Sequence, residues 1–213
     1  HCYRRLGNNA QAAKHYEIVL RAYPKRADLW DNLGVAYFRL RNYKKAAWAF
    51  KKELALKPKK MAIYRSLYLV YKVQGDYASA VKYLKKALKV KPNNVAILSN
   101  LGAMYSKMKK HAEALKVAKK VVRLAPKKAL YHYRLGVALR RSRLYKKAVA
   151  AYEKVVQLKP SFPPAYSELG LLYSYMGRKA EAIKMYKKYL SLIGNKNAKE
   201  KAWVLEKIKK LTR

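Results

Sequence analysis

Lysine recurs in this sequence at a fixed step. Lys51-Lys52, Lys85-Lys86 and Lys119-Lys120 stand 34 residues apart, Lys187-Lys188 falls two steps further on, and Glu153-Lys154 fills the copy between. Lys82, Lys116 and Lys184 keep the same step. Ammonium groups repeated in this way can pair with the oxygens of a polyanion or an acidic partner. Reaction chemistry finds no such support. His1, His15, His111 and His132 are scattered, and no pair has the i, i+4 spacing of a metal site. The one cysteine, Cys2, allows neither a Cys-x-x-Cys ligand pair nor an internal disulfide framework. No phosphate-binding glycine loop and no nucleophile–base pair is present. No catalytic residue, metal ligand or cofactor is expected, and the chain is expected to be a binding protein rather than an enzyme.

Charge points the same way. Lys and Arg number 51 against 11 Asp and Glu, a formal net charge of +40. A small domain needs far less for solubility. The lysine pairs Lys82–Lys86, Lys116–Lys120 and Lys184–Lys188 are like-charge i, i+4 neighbours. Each costs a helix about 0.2–0.5 kcal/mol. A chain that accepts this repulsion is expected to meet a polyanion or an acidic partner. The sequence has no run of 18 apolar residues, so no transmembrane helix is expected.

The elements that carry these lysines follow from the same period. Proline stands at 24, 58, 92, 126 and 160, and alanine at 12, 46, 80, 114, 148 and 182. Leucine stands at 33, 67, 101, 135 and 169, followed by glycine at 34, 102, 136 and 170 but by Tyr68 in the second copy. A fixed period of this size marks a stacked-repeat architecture. Trp30, Leu33, Gly34 and Tyr37 fall on one face of a helix, and Ala46, Phe50, Glu53 and Leu54 on one face of a second. A short polar turn separates them, and proline closes the unit because it cannot continue a helix interior. The glycine and alanine slots let two backbones approach. One helix pair cannot bury its apolar face alone, so copies must stack. Complete repeats are expected at 27–60, 61–94, 95–128, 129–162 and 163–196. Residues 1–26 project as a partial repeat with Tyr3 in the Tyr37 slot, so sequence upstream is expected. Residues 197–213 are expected to form a capping helix with Ala202, Leu205, Ile208 and Leu211 on its apolar side.

At these slots the chain resembles the tetratricopeptide repeat family over nearly its whole length. The resemblance implies an all-α, right-handed superhelix of helix pairs. First helices would line a concave groove, second helices would form the convex back, and the role would be that of a non-enzymatic protein-interaction scaffold. It places Arg65, Lys72, Asn100, Lys107, Tyr133, Arg134, Arg140 and Arg141 along the groove. Relatives that bind the acidic C-termini of heat-shock chaperones use two Lys, two Asn and one Arg there. Arg65, Asn100 and Arg134 match chemically, while Leu69 and Leu130 occupy two of the other slots. The resemblance also puts Lys51, Lys52, Lys85, Lys86, Lys119, Lys120, Lys154, Lys187 and Lys188 on the convex back as a basic ladder. They lie opposite the Ala/aromatic/Leu stripe and are expected to face water.

Three departures carry expectations of their own. Tyr68 in a glycine slot should shift its helix crossing. Glu53 on an apolar face needs a basic partner or a proton. His111 and Lys179 replace the turn aromatic and should alter local packing only. Two functions are then in view. One is a basic scaffold that takes an acidic peptide or protein in its groove. The alternative is a binder of nucleic acid, acidic polysaccharide or anionic membrane surface through the lysine ladder. They differ in where the effective positive charge lies.

Overall fold

The structure is a computed structural model that describes residues 8–194 and 198–212. Every regular element among them is an α-helix. A first compact unit, within residues 1–110, holds α1 (Asn9–Ala22), α2 (Ala27–Arg39), α3 (Tyr43–Leu56), α4 (Met61–Gln74), α5 (Tyr77–Val90) and α6 (Val95–Lys107). A second, within residues 111–213, holds α7 (His111–Leu124), α8 (Ala129–Arg141), α9 (Tyr145–Leu158), α10 (Pro163–Tyr175), α11 (Lys179–Ile193) and α12 (Ala198–Thr212). Tyr3, Gly7, His1 and Cys2 lie outside the described residues.

Helix pairs close on their small residues. A Cβ placed on Gly34 would lie 2.5 Å from Cε1 of Phe50, so the ring of α3 occupies the space the glycine leaves on α2. Gly136 and Gly170 are overlaid in the same way by Tyr152 and Tyr186. In the α4–α5 pair the two sizes change places. Tyr68 fills the glycine slot, and Leu84 stands where the ring would be; both are buried. Bulk moves from the second helix to the first, which is what the Tyr68 departure does to this repeat.

Four of the five proline turns are tied to the first helix that follows them. Trp30 Nε1 donates to the Pro24 carbonyl at 2.8 Å, Tyr64 Oη to that of Pro58 at 2.6 Å, and Tyr166 Oη to that of Pro160 at 3.0 Å. His132 Nε2 stands 2.7 Å from the Pro126 carbonyl. A carbonyl can only accept, so Nε2 carries the proton there. Leu98 occupies this slot on α6 and is buried instead. The short turns carry a left-handed residue one position before the residue that precedes the next helix: Gly75 and Gly177, but also Arg41, Lys109 and Arg143.

α12 buries half of the side expected of it. Val204 is fully buried, Ile208 and Leu211 pack against the same core, and Leu205 and Ala202 are exposed. Val204, Ile208 and Leu211 stand at i, i+4 and i+7, so Ile208 and Leu211 keep their expected side while Val204 takes the place of Ala202 and Leu205.

Candidate functional site

Arg65 and Asn100 sit on α4 and α6, separated in sequence by a helix and two turns. Both line one cavity of about 270 Å³ in the first unit. Its walls are Met61, Tyr64, Tyr68, Leu84, Ala87 and Ile97, with Ala62 and Ala96 beside them. Both partners of the size exchange line the cavity. Leu84 reaches less far than Phe50 does in the preceding pair, and Tyr68 stands up from α4 as a wall. The polar edge is rigid on the α6 side. Asn94 caps the helix, its Oδ1 accepting from the Ile97 N–H at 3.1 Å. Across it the Pro58 carbonyl fixes the Tyr64 hydroxyl. Lys72 places its ammonium 6.0 Å from the centre of the Tyr68 ring, a cation–π distance. No carboxylate lines this cavity.

The remaining residues expected along a groove divide by unit. Lys107 is exposed in the last turn of α6. In the second unit Tyr133 packs on Tyr152 and Phe162, with ring centres 5.6 and 5.2 Å apart. It also lines a second cavity with Ser167, Glu168, Tyr189, Glu200 and Trp203. Arg140 is already engaged: its Nε lies 2.9 Å from Oε2 of Glu168, which is 16% exposed. The groove placement treated Arg140 as open to a partner's carboxylate, and the chain supplies one itself. Burial, with Glu168 close by, raises the pKa of Tyr133 and of Tyr152. Tyr189 donates to Glu200, and burial with that contact pushes its pKa up to about 12. Arg134 is half-buried and Arg141 exposed.

Most ladder lysines reach water. Lys52, Lys119, Lys154, Lys187 and Lys188 are exposed, and Lys154 also approaches Gln157 at 3.4 Å. Three lean on rings: Lys51 over Tyr71 at 5.6 Å, Lys85 over Tyr105 at 6.0 Å and Lys86 over Tyr83 at 5.7 Å. The Tyr71 hydroxyl raises the pKa of Lys51. Lys120 is only half-exposed, contrary to the expected water-facing position. Lys51 and Lys85 therefore lie along seams between a second helix and the next first helix. Where the same slot carries a carboxylate, the tyrosine twenty residues on donates to it: Tyr37 to Glu17, and Tyr173 to Glu153 at 2.6 Å. The offset of twenty is present in the sequence and is the signal that could have revealed the contact.

Glu53 is fully buried and meets Lys60 at 2.7 Å. Burial raises its pKa and the Lys60 contact opposes that rise. This gives the carboxylate a structural role. Among the described residues no group of three His, Cys, Asp or Glu could hold a metal ion, and no helix is long and apolar enough to cross a membrane.

Helix pairs of one length, closed on glycine and stacked through proline turns, define an all-α repeat solenoid. The chain belongs to the tetratricopeptide repeat family, whose patterns match residues 3–60, 74–135, 145–177 and 163–196. No curated protein matches it. Solved structures do. A crystal structure of MamA is 27% identical with a TM-score of 0.71, over 77% of this chain and 96% of that one. MamA from Desulfovibrio magneticus RS-1 is 26% identical with a TM-score of 0.72, over 78% and 94%. YrrB, a TPR protein with an unusual peptide-binding site, is 20% identical with a TM-score of 0.69, over 86% and 94%, a likeness of fold.

Proposed function

We propose that the chain is a non-enzymatic interaction scaffold that holds an acidic peptide or protein segment against its first helices. One observation carries this reading: Arg65 and Asn100, from two helices, line the same cavity, and no carboxylate lines it. A guanidinium offers a paired fork of donors to a carboxylate, and an amide NH₂ adds a neutral donor beside it. Lys72 and Lys107, exposed on the same two helices, extend the positive field. In the second unit, Arg134 and Arg141 on α8 are proposed to add positive charge of their own.

The alternative, a polyanion along the lysines, is favoured by the exposure of Lys52, Lys119, Lys187 and Lys188. One titration series tests both. Replacing Arg65 and Asn100 together with alanine should weaken an Asp/Glu-rich peptide at least tenfold, since a hydrogen bond to a charged group is worth about 1.5–3 kcal/mol. Binding of duplex DNA should be unchanged in that variant. If DNA binds and its log affinity falls against log salt with a slope of about −0.9 per phosphate engaged, while the acidic peptide does not bind, the lysine reading replaces the first.

A further inference from the structure

Three large apolar side chains of the first unit stand in water, each in a slot that other repeats give mainly to lysine. Ile18 on α1 is 63% exposed, and Lys52, Lys86, Lys120, Lys154 and Lys188 hold its slot. Trp48 on α3 is 44% exposed, and its slot holds Lys14, Lys82, Lys116 and Lys184, with Ala150 in the other copy. Tyr23, just after α1, is 63% exposed where Lys57, Lys91 and Lys159 stand later. Trp48 and Tyr23 belong to one patch. The Trp48 ring meets the buried Trp30 ring edge to face, with centres 5.0 Å apart. Trp30 Nε1 in turn donates to the carbonyl of Pro24, the neighbour of Tyr23. Cations surround the indole: Lys44 and Lys45 precede Trp48 by one turn of α3, Lys51 and Lys52 follow it by one turn, and all four are exposed. Among the described residues of α1, α3 and α5 the carboxylates are Glu17, which accepts from Tyr37, and Glu53, which is fully buried.

We infer that the second-helix side of the first unit docks on an anionic phospholipid bilayer: Trp48, Tyr23 and Ile18 enter the headgroup layer, and the lysines around Trp48 meet the lipids' acidic groups. Tyrosine and tryptophan favour a membrane–water interface because their rings are apolar at one end and hydrogen-bonding at the other. Lysines beside them are attracted by the negative surface of the leaflet, an attraction that salt screens. The apolar side chains add burial that salt does not screen. Nucleic acid would also meet the lysines and could stack a base on Trp48, but Ile18 has no ring face to offer a base. Charge and apolar surface together therefore fit a bilayer better than a nucleic acid. The inference goes beyond the acidic-segment reading and uses no residue of the Arg65–Asn100 cavity. Of the polyanions that exposed lysines could meet, it commits this face to lipid.

The test gives position 48 the residue its slot holds in other repeats. Co-sedimentation of the whole chain with vesicles of phosphatidylcholine and phosphatidylserine, at one salt concentration, compares the parent with Trp48→Lys. The variant gains a cation, so charge alone predicts binding as tight or tighter. Insertion predicts binding about tenfold weaker, the order expected for losing one buried apolar side chain. Vesicles with brominated acyl chains should quench the tryptophan emission of the parent, and that of the variant much less. If Trp48→Lys melts early by circular dichroism, Ile18→Lys takes its place in the sedimentation, with the same direction expected. No binding by the parent, no quenching of its emission, or a lysine variant that binds as tightly as the parent would overturn the inference. A single-stranded oligonucleotide is the last arm, and its affinity should be unchanged or higher for Trp48→Lys. A loss there as large as on vesicles would overturn the bilayer in favour of base stacking on Trp48. The double variant with alanine at Arg65 and Asn100 should bind vesicles as the parent does, so a failure of the acidic-segment reading is seen separately from a failure of this one.

Discussion

The two units of this chain share a repeat pattern and resolve it differently. In the second, both Gly136 and Gly170 are covered by tyrosine rings. In the first, one pair obeys that rule at Gly34 and Phe50, and the next reverses it at Tyr68 and Leu84. The reversed pair borders the cavity rimmed by Arg65 and Asn100; the regular pairs border one lined by Glu168 and Glu200. Helix starts differ as well. Asn8, Asn42, Asp76 and Asn94 cap helices of the first unit with side-chain oxygens. α8 to α11 begin after Lys128, Leu144, Phe162 and Arg178, none of which makes such a bond. A repeat fold thus keeps its backbone while its electrostatics and its local stability are set slot by slot.

The size exchange can be imposed on the second unit. Gly136→Tyr pushes a side chain into the Tyr152 ring, which lies only 2.5 Å from the point a Cβ on this glycine would occupy. It should destabilise the protein by about 3 kcal/mol or more, at the upper end of overpacking. Adding Tyr152→Leu reproduces the Tyr68–Leu84 arrangement and should recover at least half of the loss in urea unfolding. No recovery would mean that the exchange is specific to the first unit.

Buried carboxylates separate the units next. Glu53 is fully buried against Lys60, whereas Glu168 keeps some access to water beside Arg140. Lys60 itself is exposed, so Lys60→Ala should cost about 1–3 kcal/mol, the penalty for leaving a buried group without its hydrogen bond, and Arg140→Ala less. The pH dependence has a definite sign. Because burial raises the folded pKa of Glu53, the folded state holds its proton where the unfolded chain has lost it. The stability that this proton carries is present below the ordinary Glu value and lost as pH rises through the raised one. Glu53→Gln should thus gain on the parent as pH rises from about 4 to 7, by urea titrations at each pH. A constant difference would mean that Lys60 holds the carboxylate ionised throughout.

The smallest effect concerns caps. Leu144→Asn should supply the missing acceptor at the start of α9 and stabilise by about 1 kcal/mol, and Asn42→Ala should lose about as much at α3. Thermal melts would show the two shifts with opposite sign. Equal silence at both would make capping irrelevant to the contrast between units.

The period, the helix pairs and the small-residue slots were legible in the sequence because stacking constrains one residue type at one place in every copy. Local spacing also placed Glu53 on an apolar face and Tyr68 in a glycine slot. What those departures do was decided in three dimensions. That Tyr68 is buried in a glycine slot goes with Leu84, sixteen residues away on the facing helix, standing where other pairs carry a ring. That Arg140 meets Glu168, or Lys51 the Tyr71 ring, depends on which side chains the next repeat brings within reach. On α12 the sequence placed Ile208 and Leu211 but chose Leu205 over Val204, because both are apolar and only the neighbouring core selects Val204 for burial. Periodicity fixes the faces of helices; the partner across each face belongs to the tertiary structure, because contact depends on distance in space and side-chain reach rather than on spacing along the chain.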